Sequence, residues 1–391
     1  MDRAVAWRAG TLALALLLAW RVITVNAVLF GDDGRPKWPD AAIRAAPDRG
    51  ALAAVLRENP GEVAALLVFA QQLERAGDAS GAAKAYESAL AVAPVDRDAL
   101  QLSAGFFLRQ GRTKEAVQQL DRLAEHYSLY DSVFPALMQL LPVRDSGWEA
   151  ILARNPAWLG AFIVTACRQL SVDPLMLAPL LQQRVAAGRV QAPEVECITD
   201  KLRSNGQWEA AYQVWLNTLP RERLAEVGHV FNGGFERPAS GIGFDWQPSL
   251  GPDRQVGHAV EFAIASGGGG KRALRVTYNG KRQVAPAIRQ FMAVGPGRYQ
   301  FNGLARIDAL NSVRGVQWAL RCMARDGRST LVAASERFLG SSEWRGFAFE
   351  AVVPEGCPGQ VLQLEPVGMD EGTTFLAGTA WFDDLRLTRR R

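Results

Sequence analysis

The sequence predicts a multidomain chain that runs α then β: an apolar N-terminal membrane helix, a short α-solenoid, and an antiparallel β-sandwich. Three observations predict it. Residues 41–220 are rich in Ala and Leu at helical spacing and repeat with a period of 34 residues. From residue 231 the pattern becomes short alternating runs with Gly, Pro and Asn between them. At the start, a long apolar stretch follows two arginines.

Composition narrows the class before any motif is read. At 391 residues, with 48% hydrophobic and 21% charged residues, the chain can hold two or more cores and is neither disordered nor polytopic. The net charge is only +4, and the longest terminal basic run is Arg389, Arg390 and Arg391, read as a solvated tail. No nucleic-acid partner is expected from that balance.

Residues 9–20, AGTLALALLLAW, follow Arg3 and Arg8, and the apolar character resumes after Arg21 as VITVNAVLF. The span from Ala4 to Phe30 is long enough to cross a bilayer, with Arg21 snorkelling beside Trp20. This gives a signal anchor over 1–30, single-pass in a bacterial inner membrane with the bulk in the periplasm. The alternative is a signal peptide cleaved near Val25-Asn26-Ala27, giving a secreted chain. A soluble cytoplasmic helix is the third reading.

Cys167, Cys197, Cys322 and Cys357 show no metal-ligand spacing. Outside the cytoplasm pairing becomes available. Cys322 and Cys357, in the same C-terminal segment, form the favoured pair, with two free buried thiols as the other reading.

In the helical region Gly77, Ala82, Tyr86 and Ala89 recur as Gly111, Ala116, Leu120 and Leu123, and Pro60 recurs as Pro94. A third copy from Gly206 keeps Ala211 and Trp215 in phase, while 130–205 lacks clean repeat positions. This pattern resembles the tetratricopeptide repeat, a helix-turn-helix unit of that length. The resemblance implies Gly at the intra-pair turn, Ala where helices approach closely, and Pro after the second helix. It also implies a concave face that takes a protein partner. The helical domain is placed at 41–220, with RERLAEVGHV (221–230) as the junction and the sandwich over 231–391.

Eight strands are expected: 259–266, 273–279, 287–294, 298–307, 315–324, 344–353, 360–367 and 380–388. In the last, AWFDDLRLT, strict alternation puts Trp381, Asp383, Leu385 and Leu387 on the inner side and Phe382, Asp384, Arg386 and Thr388 on the outer. An inward Asp383 is costly unless paired, hydrogen-bonded or metal-bound.

FNGGFE, KRALRVTYN, GPGRYQFNGLARI, SSEWRGFAFEAVVP and AWFDDLRL occur in the order seen in carbohydrate-binding modules with a galactose-binding-like jelly roll. The resemblance covers roughly 231–388 and implies polysaccharide as ligand. It further implies a structural calcium where first and last strands meet, with Glu236 and Asp383 as matching ligands. Hydrogen bonds from backbone N–H groups, or an arginine, would compensate Asp383 equally well.

By strand parity Arg275, Thr277, Gln300, Asn302, Gln317 and Arg321 point outward and, if their strands are neighbours, form one polar face for sugar hydroxyls. Trp246 in a loop and Trp344 at a strand start are candidate stacking platforms, against a packing role for each.

Catalytic signatures are missing. His126, His229 and His258 are scattered, and no GxSxG occurs. SGGGGKR (266–272) lacks the Ser/Thr ending and following helix of a phosphate loop and reads as a flexible hairpin loop. The expectation is a non-catalytic, membrane-anchored scaffold for polysaccharide assembly or export in the cell envelope. The alternatives are a purely structural interaction protein, recognised by helices covering the Arg275/Gln317/Arg321 face, and a glycan-active enzyme with carboxylates about 5–9.5 Å apart.

Overall fold

The computed structural model describes residues 48–128, 130–143, 147–249, 257–283, 285–324, 327–368 and 375–390. The expected membrane segment, 1–30, lies outside them. Among the described residues no helix is long and apolar enough to cross a membrane. Contacts divide the chain into two compact units, Met1–Glu149 and Ala150–Arg391.

The first unit is a run of antiparallel helices: α1 (Arg49–Glu58), α2 (Val63–Arg75), α3 (Ala79–Val92), α4 (Arg97–Arg109), α5 (Thr113–Tyr127) and α6 (Tyr130–Leu140). Aspartates start several of them. Asp48, Asp78 and Asp96 accept from Ala51, Gly81 and Ala99 N–H at 2.7, 2.8 and 2.8 Å. Gly77 and Gly111 end α2 and α4 at φ 80° and 70°. In each case the next N–H returns to a carbonyl five residues back, Asp78 to Leu73 at 3.0 Å and Arg112 to Phe107 at 2.9 Å. That closure needs a left-handed residue, which is why glycine recurs there. Ala82 and Ala116 are fully buried at the pair interfaces, and Tyr86 and Leu120 fill the space beyond them. Glu74 is gripped by Arg109 at 2.7 and 3.1 Å, which ties α4 to α2.

The second unit begins with helices. Helix α7 (Trp148–Arg154) spans the division, followed by α8 (Leu159–Arg168), a 3-10 turn (Pro174–Leu177), α9 (Ala178–Ala186), α10 (Ala192–Ser204), α11 (Trp208–Leu216) and α12 (Arg221–Leu224). Arg184 and Glu194 form a buried bidentate pair at 2.6 and 2.8 Å. A Cβ on Gly160 would sit 2.6 Å from Glu194 Oε1, so only glycine fits over the pair. Cys167 and Cys197 form a disulfide between α8 and α10 that the sequence reading did not pair. Ala211 and Trp215, the in-phase residues of the third copy, are buried.

The sandwich has ten strands: β1 (Gln247–Pro248), β2 (His258–Ile264), β3 (Arg272–Arg282), β4 (Ile288–Met292), β5 (Gly297–Asn311), β6 (Val316–Met323), β7 (Ser329–Ala334), β8 (Gly340–Val353), β9 (Gly359–Pro366) and β10 (Phe375–Arg389). All eight expected strands are present; β1 and β7 are additional. One sheet runs β1-β4-β9-β6-β7 and the other β2-β3-β10-β5-β8, every pairing antiparallel. Alternation fills the space between them with Leu274, Val276, Tyr299, Phe301, Trp318, Leu362 and Phe382. Cys322 and Cys357 are joined, as expected.

The same unit packs its helices on the sandwich. Trp208 lies against Gly359, where a Cβ would come within 1.9 Å of the indole. The Arg203 guanidinium sits 3.7 Å from the Phe291 ring centre on β4.

Candidate functional site: a trough on the outer sheet face

Strand β10 does not alternate strictly. Phe382 and Leu385 both lie in the core, while Trp381 is excluded from it. Asp384 has φ 51°, and the pairing with β5 slips between Asp383 and Arg386. This β-bulge resets the parity, so the expected inward Trp381 and outward Phe382 exchange sides. Downstream, Leu385 and Leu387 face inward as expected.

Asp383 is fully buried, covered by the glycine-rich β2–β3 loop. It accepts from Gly269 and Gly270 N–H at 2.6 and 3.2 Å and from Asp384 N–H at 2.7 Å. Glu236 accepts from Lys271 and Arg272 N–H at 2.7 and 3.1 Å on the same loop. A Cβ on Gly268 would lie 2.6 Å from Asp383 Oδ2, and one on Gly270 would lie 1.9 Å from Glu236 Oε1. The SGGGG run is therefore a hairpin loop, as expected, but pinned by two carboxylates rather than free. Among the described residues no cationic side chain pairs with Asp383, and burial pushes its carboxyl above the ordinary range. Three N–H donors thus compensate the buried acid without a cation, while its oxygens and those of Glu236 are the ligand type a hard cation takes. Among the described residues no group of three or more His, Cys, Asp or Glu forms a metal cluster.

The expected sugar-binding residues divide between two sheets. Arg275, Thr277, Gln300, Asn302 and Trp344 belong to β3, β5 and β8, whereas Gln317 and Arg321 lie on β6 of the opposite sheet. The expectation of one shared face is corrected accordingly: these strands are not all neighbours. Trp246 is also corrected. It is fully buried, donates to Asn232 O at 3.1 Å, and packs tilted against Phe235 and edge-on against Trp318, at 5.2 and 5.7 Å between ring centres. It lies in the core and cannot stack on a ligand.

On the β6 side the polar atoms are already committed. Glu365, 2% exposed, accepts from Arg321 at 2.9 and 3.0 Å, from Gln317 at 3.4 Å, and from Gln363. Helix α11 covers the Phe291 and Gly359 end of that sheet.

The β3-β10-β5-β8 face is built differently. Register aligns Glu261, Arg275, Trp381 and Arg306 across four strands. The Arg275 and Arg306 guanidiniums lie 5.4 and 4.5 Å from the Trp381 ring centre, and Arg306 lies 5.7 Å from that of Trp344. Arg275 pairs with Glu261. Asp308 accepts from Trp381 Nε1 at 2.8 Å and from Arg306 at 3.0 Å. Trp344 is half-buried and donates to Ser266 O at 3.0 Å, which fixes its ring.

Below this ladder the face opens into a trough of about 570 Å³ lined by Asn302, Leu304, Ala348, Asp384, Arg386 and Thr388, with Gly346 as part of its floor. The cross-strand row Arg386–Asn302–Ala348 runs through it, and Thr388 adds a wall from the next row, where it aligns with Gln300. Small residues on β8 lower the floor. Asn302 is exposed, and Arg386 pairs with Asp384 at 2.6 Å. Parity already placed Asn302, Gln300, Asp384, Arg386 and Thr388 on the outer side; the bulge keeps the last three there although Phe382 turns inward.

A tetratricopeptide-repeat family model matches residues 73–130. No curated protein matches the chain in sequence. The sandwich is similar in fold to a CBM4 module (17% identity, 41% of this chain and 99% of that one, TM-score 0.32). It is likewise similar to the CBM22-1 xylan-binding domain of Paenibacillus barcinonensis Xyn10C (14%, 40% and 91%, TM-score 0.29) and to TmCBM61 solved with β-1,4-galactotriose (18%, 42% and 99%, TM-score 0.26).

Proposed function

We propose that the sandwich binds polysaccharide in the β10-β5-β8 trough while the helical repeats dock a protein partner. One observation carries the reading: the trough gathers the exposed amide of Asn302 and the Arg386–Asp384 pair, and two positions before its Gly346 floor on β8 stands Trp344, held by its bond to Ser266. A sugar ring stacks its apolar C–H face on an aromatic and gives its hydroxyls to amide and charged groups. The Arg–Trp ladder holds the aromatic end rigid, which lowers the ordering cost of binding.

The chain would act as a non-catalytic scaffold held at a bacterial inner membrane by residues 1–30, with the bulk of the chain in the periplasm. Two disulfides support a location outside the cytoplasm, where such bonds persist. Calcium at Asp383 and Glu236 would neutralise the buried acid and fasten β10 to the β2–β3 loop. Its role would be stability alone. The coverage of Phe291 and Gly359 by α11 favours a second reading, in which the sandwich serves only as a protein-interaction module.

Affinity electrophoresis of the full chain in gels containing neutral or acidic polysaccharide tests the proposal. Retardation by at least one polysaccharide, lost in Asn302→Ala/Arg386→Ala, is expected. Equal mobility of parent and variant in every gel would overturn it.

A further inference from the structure

Single exposed apolar side chains are ordinary on protein surfaces. Three of those here share one end of the sandwich, away from the trough. Val313 is 95% exposed in the β5–β6 turn, Leu339 50% just before β8, and Phe375 63% at the start of β10. Register brings their segments together: Phe375 faces Arg282 of β3, Ala377 faces Asn311, and Leu310 faces Gly340. Val316 and Phe338 are bridged, which closes the two turns against each other.

Among the described residues, the unpaired charges directly beside these three tips are basic. Lys281, Arg282 and Arg337 are exposed, and among the described residues no carboxylate pairs with them. Glu336, the neighbouring acid, is gripped by Arg345 at 2.7 and 3.1 Å. Apolar tips on separate turns, ringed by unpaired cations, match an interface with acyl chains below and anionic headgroups above. A protein groove would instead call for a contiguous apolar patch.

We propose that this edge of the sandwich rests on an anionic lipid surface, with Val313, Leu339 and Phe375 entering the headgroup boundary and Lys281, Arg282 and Arg337 meeting lipid phosphates. The surface is separate from the glycan trough, so either proposal can fail alone.

Hydrogen exchange of the full chain in nanodiscs tests it, comparing phosphatidylglycerol-containing discs with discs of phosphatidylcholine only. Any N-terminal attachment is common to both, so the difference reads the edge. Amides of 312–315, 337–340 and 375–378 are expected to exchange at least about tenfold more slowly in the anionic discs. Val313→Asp/Phe375→Asp should abolish that protection, and Lys281→Glu/Arg282→Glu should remove its dependence on anionic lipid. Both pairs are exposed, and unchanged thermal unfolding verifies their folding. Equal exchange in the two discs, or protection that survives both double variants, would overturn the proposal. So would protection of these amides by added protein in place of lipid.

Discussion

Phe382 and Leu385 stand three positions apart in one strand and bury their side chains in the same core, because Asp384 between them takes φ 51° and adds a residue to the ladder. That bulge has two consequences. It swings Asp383 under the glycine-rich loop, and it turns Asp384 and Arg386 onto the trough.

Asp383→Ala should lower the stability of the second unit by about 2–4 kcal/mol, since it strands the N–H groups of Gly269 and Gly270. Urea denaturation followed by tryptophan fluorescence measures it.

The pH dependence of Asp383 has a definite sign. Burial raises its carboxyl in the folded state, so that state holds the proton more tightly than the unfolded chain. With calcium chelated, its contribution is full below the ordinary aspartate range and is lost as pH rises through the raised value. Calcium binding favours the ionised form and should cancel that loss. Melting curves at stepped pH, with chelator or with calcium, read the difference; identical curves at neutral pH would remove calcium from the account.

The seam between α11 and the sandwich makes Gly359 irreplaceable. A methyl group there meets the Trp208 indole, so Gly359→Ala should cost about 1–3 kcal/mol. Trp208→Gly in the same background should recover part of the loss. A fragment starting at 231 would expose Phe231, Phe244 and Phe291, which pack on Trp208 and Trp215, and should aggregate where 150–391 stays monodisperse by light scattering.

Removing the Cys322–Cys357 link with paired serines should destabilise the unit by about 2–4 kcal/mol, through the freedom returned to a segment with sequence separation 35. Calorimetry of parent and variant without reductant compares them directly.

Much of this fold was legible from local pattern. The 34-residue recurrence located Gly77 and Gly111 at helix ends, because a Schellman closure writes glycine into the sequence. Alternation found eight strands and gave the facing of Gln300, Asn302, Val316 and Trp318. What remained hidden depends on non-local geometry. Strand order decides that Gln317 and Arg321 sit on the opposite sheet from Arg275, and alternation carries no strand order. Trp246 reads as a loop residue, yet the loop folds back over Trp318 and buries it. The bulge at Asp384 defeats any period-two rule, and with it went the facing of Trp381 and Phe382. The Cys167–Cys197 pair needed the packing of α8 on α10 to become visible.

The trough is tested most directly by calorimetric titration of the full chain with the oligosaccharide of whichever polysaccharide retards it. The account predicts saturable binding, weakened about tenfold or more by Trp344→Ala and likewise by Asn302→Ala, a loss near 1.4 kcal/mol each. Binding unchanged in both variants but abolished by Gln317→Ala or Arg321→Ala would move the site to the other sheet and contradict it.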